Sequence, residues 1–201
     1  MDQQLFKDFH WRNESKMRFE NDALVLYAPP NSDYFYSRYV DTDPAKVSGV
    51  SYNAPFFHTK VTGDFVMRVQ VSHDFLTTYD AASIMVMQDL KVWAKACFEK
   101  TDFDTHAVVS VVTDHISDDA NGCNIQGNSV WLQAARVDTH FAFHYSLDGE
   151  QFDMMRYFSL PAGADVMVGL VPQSPAGKGG DRVYRNFSLH PITLQNLRAG
   201  K

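Results

Sequence analysis

The residue types best suited to chemistry stand close together in the segment WAKACFEK, residues 93–100. It contains an indole, an ammonium group and a carboxylate, in Trp93, Lys95 and Glu99. In a strand, side chains at alternate positions share one face, so these three groups would lie together with Cys97. In a helix, the apolar residues would form one face and the charges would be ordinary solvated groups. Only the strand interpretation creates a candidate binding surface.

Local charge and context favour the strand. A helix would place Lys91 and Lys95 four residues apart, an unfavourable spacing for like charges, and no good N-cap precedes the segment. In a strand, Lys95 and Glu99 are about 13 Å apart at about 3.3 Å per residue, so they cannot neutralise each other. Each therefore needs a cross-strand partner, water or a ligand. The cations available to Glu99 on later predicted strands are Arg136 and Arg156.

Two interpretations of this face remain open. Its charged residues can form a paired network on a solvated sheet face, as many networks without function do. Alternatively, Trp93, Lys95 and Glu99 line a concave groove together with Arg136, which offers a stacking surface and several hydrogen-bonding groups. A sugar suits such a groove, because its apolar face stacks on an aromatic ring and its hydroxyls form charge-assisted hydrogen bonds.

The segment YNAPFFH, residues 52–58, supplies two weaker candidates. An Asn-Ala-Pro turn before two phenylalanines predicts a strand that enters the core, which is a purely structural role. If that strand borders the concave sheet, Asn53 and His58 could reach the rim of the groove. We include both as candidate ligand-binding residues.

Metal binding and catalysis have less support. The segment DHISDDANG, residues 114–122, gathers Asp114, Asp118 and Asp119 in a predicted turn, and such oxygen ligands suit calcium, but the spacing is not that of an EF-hand. We therefore predict no cofactor, with calcium as a weaker alternative. Glycoside hydrolysis needs two carboxylates about 5 to 9.5 Å apart, and only Glu99 is predicted to face the groove. The sequence thus favours a non-catalytic protein.

The elements that must position these residues are short strands. Residues 63–72, GDFVMRVQVS, alternate apolar and polar side chains, as a half-buried strand does. Further strands are predicted at residues 81–88, 106–113, 129–137, 139–146, 165–171 and 183–189, and loops at 28–33, 41–50 and 173–182. The turn Ser146-Leu147-Asp148-Gly149 is the strongest hairpin signal. Many short strands with little helix predict an all-β, two-sheet antiparallel sandwich or jelly roll.

Length and composition bound the possibilities. The 201 residues fit one β-sandwich domain over residues 1–201, with a core at about 5–190 and a tail at 191–201. The net charge is -6 and basic residues are scattered, so no nucleic acid partner is expected. No apolar run approaches the roughly 18 to 20 residues of a membrane span, and the first residues lack a signal-peptide pattern. A cytoplasmic protein with two reduced cysteines is expected.

An ordered set of motifs resembles a known family. The motifs are Gly63 to Val71, Trp93 to Glu99, Ser110 to Asp114, Tyr145 to Gly149 with Arg156, and Val168-Gly169 through Ser174-Pro175 to Asn186-Phe187. Together they are similar to the concanavalin A-like family catalogued as domain of unknown function thirteen-forty-nine. That family includes a fungal protein named for regulation of enolase, and its relatives occur as accessory domains on some glycosidases.

The resemblance implies a curved jelly roll with a concave sheet and makes WAKACFEK a strand, but it implies no known activity. This sequence departs from the family pattern at three positions. Cys97 and Ser83 stand where the family tends to have Gly, so the groove is expected to be narrower or differently shaped. Phe152 stands where Trp is more usual, which is a conservative packing change.

These observations predict a non-catalytic protein that binds a saccharide or a similar polar small molecule through Trp93, Lys95, Glu99 and Arg136. The alternative is a protein-interaction or regulatory module in which the groove is structural and a protein partner docks elsewhere. A glycoside hydrolase is a less favoured third hypothesis. An open groove in which Glu99 lacks a full set of protein partners would favour ligand binding.

Overall fold

A computed structural model of the chain describes residues 2–37, 49–74 and 76–201. Residues 41–48 of the predicted loop at 41–50 therefore lie outside the described part. The described residues form sixteen strands and two short 3₁₀ helices, η1 (Gln3–Phe6) and η2 (Leu197–Ala199). In chain order the strands are β1 (His10–Arg12), β2 (Met17–Glu20), β3 (Ala23–Ala28), β4 (Tyr34–Tyr36), β5 (Val50–Tyr52), β6 (Phe56–Thr62), β7 (Phe65–His73), β8 (Ala81–Met87), β9 (Val92–Lys100), β10 (His106–Asp114), β11 (Ile116–Asn124), β12 (Ser129–Val137), β13 (His140–Ser146), β14 (Asp153–Ser159), β15 (Asp165–Gln173) and β16 (Gly180–His190).

The strands form two seven-stranded antiparallel sheets. The first sheet has the order β1-β6-β15-β8-β9-β10-β11, and the second has the order β14-β13-β12-β7-β16-β3-β2. A separate pair, β4-β5, makes a small third sheet. The segment WAKACFEK lies in β9, near the centre of the first sheet, so the strand interpretation is confirmed.

Alternation along the strands decides which side chains fill the space between the sheets. On β9, Ala94, Ala96 and Phe98 belong to the main hydrophobic core, which they share with residues of the second sheet. Since neighbouring side chains on a strand point to opposite faces, the remaining β9 side chains lie on the outer face of the first sheet. That face carries Lys95 and Glu99.

The β4-β5 pair covers part of the outer face. Tyr34 on β4 is completely buried in a second apolar cluster with Met85, Trp93 and Phe56, all from the first sheet. The pair is also tied to the sheet edge, because the backbone N–H of Tyr36 donates to Ser117 Oγ at 2.9 Å. The outer face therefore has a dry, covered region beside a more open one.

The predicted hairpin is confirmed. Strands β13 and β14 pair antiparallel on either side of the turn. Ser146 Oγ accepts a hydrogen bond from Gly149 N at 2.9 Å, and Gly149 has φ +81°, a left-handed conformation that favours glycine. The prediction of a loop at residues 114–122 is wrong, since β10 turns tightly at His115 into β11.

A buried ion pair connects the two sheets near one end of this outer face. Arg182 on β16 lies 3.2 Å from Asp80, which immediately precedes β8, and both side chains are 2% exposed. Arg182 also donates to the carbonyl of Gln173 at 2.9 Å, at the end of β15. These contacts hold the backbone from which the Gln173 side chain reaches the candidate site.

The tail after Pro191 packs back on the second sheet. Leu194 joins a small apolar cluster with Val66 and Ala135. The helix η2 is capped by Asn196, whose Oδ1 accepts a hydrogen bond from Ala199 N at 3.1 Å. Neither helix in the described part of the chain is long and apolar enough to cross a membrane.

Candidate functional site

A pocket opens on the outer face of the first sheet, where the cover of β4-β5 ends. It has a cavity volume of about 120 Å³. Its lining combines three carboxyl groups, one cation, one amide and several apolar or aromatic side chains, and we call it the acidic pocket. The lining residues are Asp33, Phe35, Tyr79, Lys95, Glu99, Val109, Val111, Asp119, Gln173 and Pro175.

Lys95 is already committed to two partners inside the protein. Its ammonium group donates to Asp33 Oδ1 at 2.8 Å and to Gln173 Oε1 at 2.8 Å. The Lys95 and Asp33 side chains are only 2% and 9% exposed, so this is a buried ion pair. Burial is the largest single influence and lowers the pKa of Lys95, but the charge of Asp33, its hydrogen bond and the neighbouring acidic groups together outweigh burial and raise that pKa. The cation is therefore neutralised within the fold.

Asp33 is held in place by the loop around it. Its Oδ1 also accepts a hydrogen bond from Tyr34 N at 2.7 Å. Asn53 fixes the backbone of Asp33 with two hydrogen bonds. The side-chain Oδ1 of Asn53 accepts from Asp33 N at 3.0 Å, and the backbone N–H of Asn53 donates to Asp33 O at 3.0 Å. The carboxylate thus reaches Lys95 from a loop that a second segment of the chain stabilises.

Glu99 is the polar group that the protein leaves open. Its side chain is 8% exposed, and no described residue donates a hydrogen bond to its carboxyl group. Burial raises the pKa of Glu99 well above its ordinary value; Lys95 opposes this shift, while Asp119 and Asp33 add to it. Glu99 is a buried acid that favours its protonated form.

Asp119 brings a second acid to the same pocket from β11. It pairs across the strands with Val111, which in turn pairs with Lys95, so all three share one row on the outer face. Burial raises the pKa of Asp119, although Lys95 opposes the shift. Asp119 is nevertheless an exposed residue of the edge strand β11, so Glu99 is the one of these two acids that is buried.

Trp93 shares the outer face with Lys95 and Glu99, as the alternation predicted, but it does not line the pocket. Its side chain is fully buried beneath β4-β5 and meets the ring of Tyr34 edge-on, with centroids 6.0 Å apart. The prediction that its indole provides the stacking surface of the groove is wrong in this structure. The aromatic rings that line the pocket are those of Phe35 and Tyr79.

The two arginines predicted to accompany Glu99 lie elsewhere, so that prediction is wrong. Arg136 is on β12 of the second sheet, and its guanidinium donates to the carbonyls of Asp138, Gly163 and Ala164 at 2.6 to 2.9 Å. Arg156 is on β14 and lies 3.0 Å from Asp118. Strand alternation indicates the face of a residue within its sheet, but it does not indicate which sheet the strand joins.

Asn53 and His58 occupy different surroundings. Asn53 stabilises the loop that carries Asp33, but it does not itself line the pocket. His58 lies on β6 against the ring of Phe56, with centroids 4.6 Å apart, and does not line the pocket. Its Nδ1 atom is buried without a hydrogen bond among the described residues, and burial lowers the pKa of the imidazole.

The three calcium candidates do not converge. In β11, Asp118 and Asp119 are neighbours on a strand and therefore point to opposite faces. Asp118 pairs with Arg156, Asp119 faces the acidic pocket, and Asp114 contacts His115 in the exposed turn. No group of three His, Cys, Asp or Glu side chains in the described part of the chain is arranged to hold a metal ion. The geometry proposed for calcium is thus contradicted.

Four polar residues of the pocket were not predicted to bind a ligand: Asp33, Tyr79, Gln173 and Asp119, which was predicted only as a weak calcium candidate. Asp33 and Tyr79 lie outside the strands of the first sheet, so no alternation pattern indicates them. Asp119 could have been found by extending the strand pattern through residues 116–124, had that polar segment been recognised as an edge strand. Gln173 shares its face with Val171 and Gly169 on β15, and alternation places it there.

The acidic pocket contains three carboxyl groups, and burial raises the pKa of two of them, Glu99 and Asp119. The arrangement can accept hydrogen bonds or positive charge from a ligand, and its aromatic lining can contact an apolar surface.

Fold and site define a class: an all-β protein with a concanavalin A-like jelly-roll sandwich of two antiparallel sheets and an acidic pocket on the outer face of one of them. A family model described as "Protein of unknown function (DUF1349)" matches residues 11–192. The chain belongs to this family, and the resemblance identified in the sequence is confirmed.

Solved structures support the same fold. A functionally unknown protein from Saccharomyces cerevisiae is 21% identical with a TM-score of 0.82, over 94% of this chain and 98% of that chain. The carbohydrate-binding module CBM66 from Bacillus subtilis is 9% identical with a TM-score of 0.59, over 92% and 96%. A GH43 protein, BlXynB, from Bacillus licheniformis is 12% identical with a TM-score of 0.63, over 85% of this chain and 33% of that chain. At these identities the likeness shows the fold alone. No curated protein sequence matches the chain significantly.

Proposed function

We propose that this protein is a non-catalytic binding protein that takes a saccharide, or a similar polar ligand rich in hydrogen-bond donors, in the acidic pocket. The observation that carries the proposal is Glu99, a carboxyl group 8% exposed that receives no hydrogen bond from the described residues and lines an open cavity. A polar group cut off from every partner costs roughly 1 to 3 kcal/mol, and Glu99 carries part of that cost because its carboxyl group is largely buried but faces the cavity. A ligand hydroxyl that donates to Glu99 would recover part of that cost.

The rest of the lining suits the same ligand. Asp119 adds a second acceptor, and Phe35 and Tyr79 add aromatic surface for the apolar face of a sugar ring. The volume of about 120 Å³ is well below the roughly 300 Å³ at which sites for drug-sized ligands begin. The pocket is therefore matched to one sugar unit or to one end of a longer molecule.

Two of the structural neighbours are consistent with this proposal. One is named as a carbohydrate-binding module and another as a GH43 protein. Those names describe the neighbours, and they support a saccharide only as a ligand class to be tested first. The alternative of a protein-interaction or regulatory module stays a prediction, as do a cytoplasmic location and the absence of a cofactor.

The test is a thermal-shift screen with neutral, acidic and phosphorylated sugars on the parent protein and on Glu99→Gln. A molecule that binds only the folded state must raise the melting temperature, so a sugar that stabilises the parent and not the variant supports the pocket as the site. The matched control is Glu150→Gln, an exposed change in the turn before β14, which should leave the shift intact. If no sugar stabilises the parent protein, the proposal is refuted.

A further inference from the structure

We propose that the acidic pocket selects a ligand with a primary ammonium group, such as an amino sugar, over its neutral and anionic counterparts. This inference rests on the proposed function, since it specifies the chemistry of the ligand at the same site. It follows from the charges in the pocket, from the apolar floor between two of them and from the unpartnered carboxyl group of Glu99.

The lining carries more acidic groups than cations. Among its described residues, three carboxyl groups face one cation, Lys95. That cation is already paired with Asp33 and donates a further hydrogen bond to Gln173. Glu99 and Asp119 therefore have no cation of their own in the described lining, and an anionic ligand would have to approach both.

The floor between these two acids offers them no hydrogen-bond donor. Glu99 is on β9 and Asp119 is on β11, and the intervening strand β10 presents the apolar side chains of Val109 and Val111 to the pocket. The strand register sets Glu99 opposite Ala107 and Asp119 opposite Val111, four residues apart along β10, so a ligand meets them as two separate acceptors. An ammonium group has three donors and a positive charge, which a hydroxyl group lacks.

The other ionisable groups near Glu99 do not supply positive charge. Asp102, beyond the end of β9, adds negative potential. Cys97, on the same face of β9, stays a neutral thiol because burial raises its pKa to about 12, although Lys95 opposes the shift. Tyr79 also lines the pocket, and its side chain brings no positive charge. Lys95 is thus the only cation among the described lining residues.

The raised pKa values of the two acids give the proposal a second signature. A cationic ligand stabilises the ionised carboxylates, so its binding must release protons that Glu99 and Asp119 hold in the free protein. Affinity for the ammonium ligand should therefore increase with pH, as long as the ligand itself stays protonated. A neutral sugar that donates hydroxyl hydrogens should depend less strongly on pH.

The experiment uses matched sets of sugars and isothermal titration calorimetry. Each set contains an amino sugar, its N-acetyl form and the parent sugar, built on glucose, galactose and mannose, with glucuronic acid as the anion. Titrations at about pH 5.5 and about pH 7 keep an amine with a pKa near 7.7 mostly protonated. We expect an amino sugar to bind about tenfold or more tightly than its N-acetyl form, with the preference larger at the higher pH.

Two near-isosteric variants, Glu99→Gln and Asp119→Asn, each remove one ionisable group and should each reduce the preference for the amine. Their melting curves and far-UV spectra establish that they are folded, and either folded variant is sufficient for the test. If neutral sugars bind as tightly as amines, or glucuronic acid binds best, this inference is refuted while the proposed function stands. If no sugar in any set binds, both are refuted.

Discussion

Removing one partner of the buried pair of Lys95 and Asp33 should strongly destabilise the protein, because the other charge is then left buried and unpaired. In Lys95→Met, the unbranched side chain keeps most of the volume, but Asp33 loses an ammonium group at 2.8 Å and Gln173 loses a donor at the same distance. Removing one member of a buried ion pair costs about 3 to 5 kcal/mol. At about 2 to 4 °C per kcal/mol for a chain of this length, the melting temperature should fall by roughly 6 to 20 °C.

A double-mutant cycle separates the pair from simple loss of packing. Asp33→Asn keeps an oxygen that can accept from Lys95 and from Tyr34 N, but it leaves the ammonium group without its paired charge. The double variant, Lys95→Met with Asp33→Asn, leaves neither charge of the pair buried alone. Its loss of stability should therefore be smaller than the sum of the two single losses by about 2 kcal/mol. Urea unfolding at neutral pH, followed by circular dichroism, measures all four proteins.

The control is Lys60→Met, which breaks the ion pair with Asp165 on the same sheet. Those side chains are 67% and 46% exposed, so the change should cost less than about 1 kcal/mol. If the losses for Lys95→Met and Asp33→Asn simply add, to within about 0.5 kcal/mol, the two groups are not energetically coupled. That result would refute the conclusion that Lys95 is neutralised inside the fold.

Three further outcomes test other parts of the structure. Because burial raises the pKa of Glu99, the folded protein binds more protons than the unfolded chain, so its free energy of unfolding should fall as pH rises above the ordinary carboxyl range. Glu99→Gln should flatten this pH dependence in urea titrations at several pH values. A variant with the same pH profile as the parent would contradict the prediction. Burial, assisted by Arg182, lowers the pKa of His73 to about 3, so the free energy of unfolding should also decline as pH falls from about 6.5 towards 3. His73→Gln should reduce that decline in acid-unfolding curves. An unchanged slope would count against a buried, neutral His73. Arg182→Lys should destabilise the protein by on the order of 2 kcal/mol in thermal unfolding, because an ammonium group cannot contact both Asp80 and the Gln173 carbonyl as a planar guanidinium does. A variant as stable as the parent would refute a stabilising role for these two contacts.

The strand pattern of the core was predictable because burial imposes it locally. In β7 the alternation of Phe65, Met67, Val69 and Val71 is fixed by one dry face, and those residues do lie in the main core. Strand β11 had no such signal, because it is an edge strand and most of its side chains are exposed. A polar segment with several acids resembles a loop in sequence even when its backbone pairs with a neighbouring strand. The misassignment of Asp118 and Asp119 to one calcium site follows directly from that error.

The site itself was predictable in part, and the missing part depended on long-range contacts. Alternation correctly placed Lys95 and Glu99 on one face, and the spacing argument correctly required separate partners for them. The partner of Lys95 is Asp33, 62 positions earlier in the chain and outside any strand. Arg136 was assigned to the wrong sheet for the same reason, since pairing between distant strands leaves no mark in the local sequence.

The outer face of β9 changes from dry to open along a single strand, and this gradient decides which of its side chains can meet a ligand. Trp93 lies beneath β4-β5 and packs as part of an apolar cluster. Lys95 comes next and is saturated by Asp33, and Cys97 is a buried neutral thiol. Only at Glu99 does the cover end before the polar group has received a hydrogen bond from the described residues. Since Trp93, Lys95 and Cys97 are enclosed within the fold, ligand selection at this face must depend mainly on the carboxyl group of Glu99 and on Asp119, which lines the same pocket.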